Sequence, residues 1–489
     1  MWLQALNWLI KPIWILWIER TVQVQLGNEW YGQYFVHFNV GLLFAVLLDA
    51  GLNSYISREV ATHGKILHLK RVLVLRLVLG GCYVLLVAAV AWWQSLSGLL
   101  VLLVCINQIL ASVVLLIRAV LQGRQLFISD GLLSVTDRLI AVVGSAFFLY
   151  GNREFTGMNG VVVFLLAQML GYVVALVFGG YFLQFSPKKP TEISATIAVP
   201  TVKQWLKNVG WFIGMALAMS VFTRIDALMI RIFSPDSAAG GIQNAGFFQA
   251  GLYAQGYRLL DAALIFSTLL STQLLPIFSR NIAEEKTSET ILWGGFRLVW
   301  VVAVSAFLLS VVLGKPIVEL MYKGKWDNQS AAVLDSSWRI FYFLMAAYIP
   351  MALIHVFGTY VTALGELKWL TKVAVLTLLV NVGFNRVFIA EYGALGAAWS
   401  CVITQCFFAT ACIWRTTKTG VILWTAGRLK LLLFTFVLGA LALWSDSLLE
   451  VGGWSVLYQA LSYFFWVILL FVAAFWGEIK GVIRKVTSR

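Results

Sequence analysis

The sequence has little charge and only short polar segments, the longest of about 24 residues. Charged residues make up 12% of the 489 residues, whereas 61% are hydrophobic and the mean hydropathy is +0.86. A soluble protein of this length carries about twice that charged fraction. Apolar runs of about 20 residues recur from end to end, each long enough to cross about 30 Å of hydrocarbon. This composition excludes a soluble globular protein and predicts an all-α polytopic membrane protein with about 14 transmembrane helices.

Residues that build metal, redox or catalytic centres are also scarce. The four histidines are scattered, and the five cysteines form no CxxC pair and lie within apolar runs: Cys82, Cys105, Cys401, Cys406 and Cys412. Such cysteines are typical of buried small residues. No DxD pair or nucleophile–base arrangement stands out, and the longest predicted loop has about 24 residues, too few for an extramembrane catalytic domain. We expect no enzyme, no metal and no bound cofactor, which disfavours a membrane glycosyltransferase or polymerase.

The first apolar segment, from about Ala5 to Leu26, is polar for a membrane helix. It carries Lys11, Pro12, Glu19 and Arg20, and no basic region precedes it, so we do not expect a cleavable signal. Pro12 is expected to kink the helix because proline removes one backbone hydrogen bond. A turn is expected over residues 27–32, before a second span that contains Asp49.

The net charge of +14 is spread over short loops between the apolar runs. The positive loops follow the even-numbered spans when the N-terminus is placed in the cytoplasm, which predicts that both termini are cytoplasmic. This distribution indicates contact with anionic lipid headgroups, and no nucleic-acid partner is expected.

One apolar stretch, residues 256–280, carries charges that a membrane helix rarely tolerates. Arg258 and Asp261 lie one helical turn apart, and the following residues are apolar up to Pro276, where we expect the helix to end. At about 1.5 Å per residue, Arg258 lies about 27 Å from that proline, close to the thickness of the hydrocarbon core. An arginine there indicates a site that faces a cavity. The alternatives are an arginine that reaches the outer headgroups or pairs with Asp261.

Other embedded charges are candidates for substrate contact, coupling or gating. Lys11 and Arg20 join Arg258 as candidate contacts for an anionic substrate, while Glu19, Asp49, Asp226 and Asp261 are candidate coupling or gating residues. A buried carboxylate can titrate or hold sodium, and the sequence does not choose between proton and sodium. Asp226 is flanked by arginines at spacings that favour interhelical pairing. Asn381 and Asn385, with Arg386, are expected to supply hydrogen bonds between helices.

Five segments follow one another in a characteristic order: LGNEWYGQY (26–34), DAGLNSYISREVA (49–61), RIDALMI (224–230), GYRLLD with LLPIFSR (256–261 and 274–280), and NVGFNRVFIAEYGALGAAWS (381–400). On these segments the chain resembles the Wzx-type polysaccharide flippases of the multidrug/oligosaccharidyl-lipid/polysaccharide (MOP) exporter superfamily. The resemblance implies two six-helix lobes around a central cavity and two further helices. The corresponding domains are an N-terminal lobe (1–185), a cytoplasmic linker (186–207), a C-terminal lobe (208–415), and two extra helices with a basic tail (416–489).

The resemblance implies that the chain flips undecaprenyl-pyrophosphate-linked oligosaccharide from the inner to the outer leaflet of the bacterial cytoplasmic membrane by alternating access. Its partners would be this lipid-linked substrate, membrane lipids and the polymerase machinery of surface polysaccharide such as lipopolysaccharide O-antigen. Arg258 falls where related lipid II flippases carry a cavity arginine. Their first-helix pattern, Ala–Arg–x–Leu–Gly, reads QVQLG at residues 23–27, so the arginine nearest Gly27 is missing here, and Arg20 lies near the expected region. A multidrug/cation antiporter and a lipid II flippase of the same superfamily remain alternatives.

Overall fold

The computed structural model describes Ile10, residues 12–63, 69–151, 155–185, 202–234, 244–322 and 331–420, and Thr435. All regular secondary structure in these ranges is helical, which confirms the predicted fold class. After a π-helical turn at Trp14–Glu19, the helices are α1 (Arg20–Leu43), α2 (Val46–Asp49), α3 (Leu52–His63), α4 (Leu69–Trp93), α5 (Gly98–Gly123), α6 (Phe127–Gly151), α7 (Gly157–Phe185), α8 (Val202–Arg224), α9 (Asp226–Phe233), α10 (Ala245–Ala283), α11 (Glu289–Val312), α12 (Gly314–Tyr322), α13 (Ala331–Ala363), α14 (Leu367–Tyr392) and α15 (Ala394–Thr417).

Ten helical stretches in the described part of the chain are long and apolar enough to cross a membrane, or up to 11 when α8 and α9, bent by 44°, count as one span. One stretch, Trp14–Ala61, has 48 residues. At 1.5 Å per residue it would be about 72 Å long, more than twice the hydrocarbon thickness. The first break in it is at Gly27 (φ 79°, ψ 168°), so the expected turn over residues 27–32 contracts to one glycine. The predicted division of this stretch into two crossings stays a prediction.

Pro276 behaves differently from expectation. It does not end its helix, because α10 continues to Ala283, and Pro350 likewise lies inside α13. Membrane helices tolerate proline where neighbouring groups satisfy the freed carbonyls. The helix α10 also begins at Ala245, well before the expected start. Arg258 therefore lies about 20 Å from the first residue of α10 and not in its first turn.

The chain forms two compact units. The first comprises Met1–Arg258 with Leu367–Ala397, and its fully buried side chains include Tyr31, Tyr34 and Phe164. The second comprises Leu259–Glu366 with Ala398–Arg489. The predicted lobes, 1–185 and 208–415, stay a prediction. Most of the predicted linker, and the two C-terminal spans except Thr435, lie outside the described residues.

In the second unit, one face of α10 packs against α13. The hydroxyl groups of Ser267 and Tyr348 lie 3.1 Å apart, as do those of Ser271 and Thr359. Serines four residues apart share a helix face, so the two pairs form a short polar seam between the helices.

Candidate functional site

One side of the candidate site is an aromatic face of α1. Tyr31, Tyr34, Phe35 and Phe38 follow one another at spacings of three, one and three residues, which places them on one side of a helix with 3.6 residues per turn. The rings of Tyr31 and Tyr34 are 5.4 Å apart, and the side chains of Tyr31, Tyr34 and Phe35 are buried. This segment thus presents a wall of aromatic rings, two of them with hydroxyl groups.

The first part of α10 turns one face towards α1. Phe247, Gly251, Gln255 and Arg258 recur every three or four residues along it. Arg258 ends this row with its guanidinium carbon 5.4 Å from the ring centre of Phe35 and 5.5 Å from that of Phe38. Its Nε donates to the Tyr31 hydroxyl at 3.1 Å. Aromatic faces attract a cation, so the wall on α1 holds the guanidinium in place.

The carboxylate beside Arg258 belongs to Glu19. Arg258 Nε lies 2.8 Å from Glu19 Oε2, and only 8% and 5% of the two side chains are exposed. An unpaired buried charge is strongly unfavourable, so each group permits the burial of the other. Of the two adjacent candidates Glu19 and Arg20, the structure places Glu19 in this cluster, while Arg20 is half-buried at the first position of α1.

A π-helical turn explains how Glu19 also meets Trp14. In an α-helix, residues five apart lie about 140° apart around the axis, on different faces. A π-helix closes its hydrogen bonds between residues i and i+5, which brings such residues onto nearly the same side. The indole of Trp14 accordingly donates to Glu19 Oε1 at 2.9 Å, and its ring stacks on Phe164 at 5.7 Å. Where Pro12 predicted a kink, the chain has this π-helical turn.

Near the start of α10, its backbone touches that of α1. A Cβ atom on Gly32 would collide with the carbonyl of Phe247, and a Cβ on Gly251 would collide with the carbonyl of Asn28. Gln255 Nε2 donates to Asn28 Oδ1 at 3.0 Å beside this contact. We call the contact of Gly32 and Gly251 with the facing backbone the glycine seal.

A second polar cluster surrounds Asp226. The Tyr253 hydroxyl donates to Asp226 Oδ2 at 2.9 Å, and the amides of Asn381 and Asn385 donate to Oδ1 at 3.2 and 2.7 Å. Asn385 also donates to Asn381 Oδ1 at 3.0 Å. The expected hydrogen bonds of Asn381 and Asn385 thus converge on one buried carboxylate, which receives neutral donors.

The Asp49 side chain contacts the backbone at the start of α3. Its Oδ1 accepts the backbone N–H of Asn53 at 2.9 Å, and Ala50 and Gly51 between them have φ angles of 44° and 83°. The carboxylate therefore caps the start of α3 across a left-handed break. Asp49 also interacts electrostatically with Arg76 of α4.

Two predicted site residues remain, Lys11 and Asp261. Lys11 lies outside the described residues. Asp261 is half-buried one turn beyond Arg258 and belongs to the second unit. Sequence reasoning missed Trp14 and Tyr31. The aromatic periodicity from Tyr31 to Phe38 was the available signal for Tyr31, whereas nothing in the sequence signals the π-helical turn.

Comparison with known proteins places the chain in a family. A family model described as polysaccharide biosynthesis protein matches residues 21–282, more than half of the chain. The chain belongs to this family. The matched range contains Arg258, Asp49 and Asp226, and Glu19 lies just before it. No curated protein matches the sequence.

Solved structures show which fold this member of the polysaccharide biosynthesis family adopts. An inward-facing multidrug resistance MATE transporter of the MOP superfamily is 16% identical, covers 86% of this chain and 95% of its own, and superposes with a TM-score of 0.59. The lipid II flippase MurJ in an inward closed conformation is 11% identical, with coverage of 98% and 99% and a TM-score of 0.61. A MOP transporter from Pyrococcus furiosus is 15% identical, with coverage of 87% and 94% and a TM-score of 0.56. The fold that the MOP resemblance implied is confirmed, and at these identities the likeness shows the fold alone.

Proposed function

We propose that this polysaccharide biosynthesis protein flips an undecaprenyl-pyrophosphate-linked oligosaccharide from the inner to the outer leaflet of the bacterial cytoplasmic membrane, with both termini in the cytoplasm. The observation that carries the proposal is the buried arginine Arg258, paired with Glu19 and set against aromatic rings in a chain of this family. The oligosaccharide would then be passed to the polymerase machinery of surface polysaccharide.

The chemistry of the substrate explains why an arginine serves this task. A sugar head that crosses hydrocarbon loses its hydrogen bonds to water, at several kcal/mol for each polar group. A path inside the protein avoids that loss, while the lipid tail stays in the membrane. A planar guanidinium can donate two parallel hydrogen bonds to phosphate oxygens, so Arg258 suits the diphosphate that joins lipid and sugar. Arg20 and Lys11, near Glu19 in sequence, are proposed as further contacts.

Glu19 is proposed as the gating partner of Arg258. An anionic head that approaches Arg258 competes with the Glu19 carboxylate for the same guanidinium. The pair must therefore open during each transport cycle, and it closes again once the substrate has left. A site that binds its substrate by exchange of one anion for another releases it readily, which a transporter requires.

Asp226 is proposed as the coupling site. A buried carboxylate that receives hydrogen bonds from Tyr253, Asn381 and Asn385 can take up a proton or a sodium ion without losing these helix contacts. Asp49 and Asp261 stay further candidates for coupling. Either ion would tie a change in the packing of α9, α10 and α14 to an ion gradient.

The test is transbilayer movement in proteoliposomes. The wild-type protein should move a fluorescent undecaprenyl-pyrophosphate oligosaccharide faster than empty liposomes, and an imposed proton or sodium gradient should change the rate. Lipid II and a cationic dye serve as the competing substrates. Movement of lipid II alone or of the dye alone would replace the proposed function by that of a lipid II flippase or a cation antiporter.

A further inference from the structure

A second arginine approaches the cluster around Glu19. The guanidinium carbon of Arg138, on α6, lies 6.0 Å from the ring centre of Trp14, whose indole donates to Glu19. Arg138 interacts electrostatically with Glu19 and with Tyr34 of the aromatic wall. Two guanidiniums from helices far apart in the sequence therefore act on one carboxylate, Arg258 by direct contact and Arg138 by electrostatic interaction.

The position of Arg138 is fixed by close packing of α6 on α7. A Cβ atom on Gly171 would collide with the carbonyl of Asp137 and lie 3.2 Å from the amide of Ala141. The α7 backbone thus presses directly on the turn of α6 that carries Arg138. The next residue on α7, Tyr172, interacts electrostatically with Arg138. Such backbone contact holds a side chain in one place better than a loop does.

Carboxylates lie near both arginines, as expected for a site that binds an anionic substrate during only part of the transport cycle. The Asp137 carboxylate accepts the backbone N–H of Arg138 at 2.7 Å and interacts electrostatically with its guanidinium. Without substrate, Glu19 contacts Arg258, and Asp137 interacts electrostatically with Arg138. A diphosphate that joins a lipid to a sugar carries two negative charges, whereas a single phosphate in the same position carries one.

We propose that Arg138 and Arg258 together bind the diphosphate of the substrate, one guanidinium for each phosphate, and that Glu19 occupies this anion site until the diphosphate displaces it. This inference rests on the proposed function and adds a residue and a selectivity to it. Arg258 alone can bind either a phosphate or a diphosphate. The second guanidinium gives preference to the diphosphate, because only that group satisfies both charges.

Binding of two lipids to the purified full-length protein tests the inference. The probes are undecaprenyl-pyrophosphoryl and undecaprenyl-phosphoryl N-acetylglucosamine, and native mass spectrometry measures their binding. The wild type should prefer the diphosphate, and Arg138→Gln should lose about tenfold in affinity for it with little change for the monophosphate. Arg138→Lys, which keeps the charge without the planar fork, should fall between. The matched control Arg280→Gln removes an exposed arginine and should bind as wild type does.

Glu19→Gln supplies a second readout if Arg138→Gln does not fold. Without the competing carboxylate, the diphosphate lipid should bind more tightly and raise the unfolding temperature more than it does in wild type. Equal preference for the diphosphate in wild type and Arg138→Gln, or a Glu19→Gln affinity no higher than wild type, would overturn this inference and leave the flippase proposal standing. A wild type that neither binds nor moves diphosphate lipids would overturn the proposed function itself.

Discussion

Arg258 Nε and Glu19 Oε2 lie 2.8 Å apart, with 8% and 5% of their side chains exposed. In the sequence, Glu19 lies near the start of the segment Met1–Arg258 and Arg258 ends it, and the aromatic face of α1 lies against the guanidinium. A buried ion pair is weak evidence for stability, because desolvation offsets much of the attraction. Its presence inside a membrane protein favours a task in transport.

Removal of one member of this pair should destabilise the protein. Glu19→Gln leaves the Arg258 charge buried without its carboxylate, and we expect a loss of about 3–5 kcal/mol in unfolding free energy. The double variant Glu19→Gln/Arg258→Gln should recover a large part of that loss. Thermal unfolding monitored by intrinsic tryptophan fluorescence checks both.

The matched control is Glu366→Gln, which breaks a second arginine–carboxylate pair with a more exposed setting. Arg415 contacts Glu366 with 32% and 24% of the side chains exposed, so water screens the charges. Its unfolding temperature should equal that of wild type. A double variant that is no more stable than Glu19→Gln would show that the two residues do not act as a pair.

The glycine seal should not accept a methyl group. Gly32→Ala or Gly251→Ala places a Cβ against the facing backbone, and we expect each to destabilise the closed contact of α1 and α10 by about 1–3 kcal/mol. Gly81→Ala is the control, because a Cβ there meets nothing within 4 Å. The measurement is the unfolding temperature of each of the three variants, compared with that of wild type. A Gly251→Ala variant as stable as Gly81→Ala would contradict the close contact.

The sequence predicted most of the helices, but it did not predict which side chains of different helices contact each other. Apolar runs predicted the helices because membrane spans need a minimum apolar length, and a charge in such a run singled out Arg258. The partner of Arg258 depends on which helices meet, which local spacing does not encode. Pro276 was wrongly expected to end α10, since the local rule for proline is overridden by tertiary contacts in a membrane helix. The π-helical turn that joins Trp14 to Glu19 has no residue signature.

Asp226 should tolerate loss of its charge better than loss of its oxygens. Asp226→Ala removes the acceptor of the hydrogen bonds that Tyr253, Asn381 and Asn385 donate to it, at about 1–3 kcal/mol for each bond that is not replaced. Asp226→Asn keeps one acceptor oxygen and should fold, yet transport should no longer respond to the ion gradient. The measurement pairs thermal unfolding with transport under imposed gradients. A gradient response that persists in Asp226→Asn would remove Asp226 from coupling.

The same comparison of alanine and asparagine variants distinguishes a capping role of Asp49 from a coupling role. Asp49→Ala removes the cap of α3 and should reduce stability by about 1 kcal/mol, whereas Asp49→Asn keeps a capping oxygen and removes the charge near Arg76. If Asp49 serves capping, Asp49→Asn should transport at the wild-type rate. A stable Asp49→Asn protein without transport would instead support a coupling role.

The most direct test of the account measures transport and stability together in the Glu19→Gln/Arg258→Gln double variant. Proteoliposomes would report transbilayer movement of a fluorescent undecaprenyl-pyrophosphate oligosaccharide. We predict that the double variant folds with most of the wild-type stability and moves the substrate about tenfold to 100-fold more slowly, because the charge-assisted bonds to the diphosphate are gone. Movement at the wild-type rate in the folded double variant would contradict the account and reduce the Arg258–Glu19 pair to a structural contact.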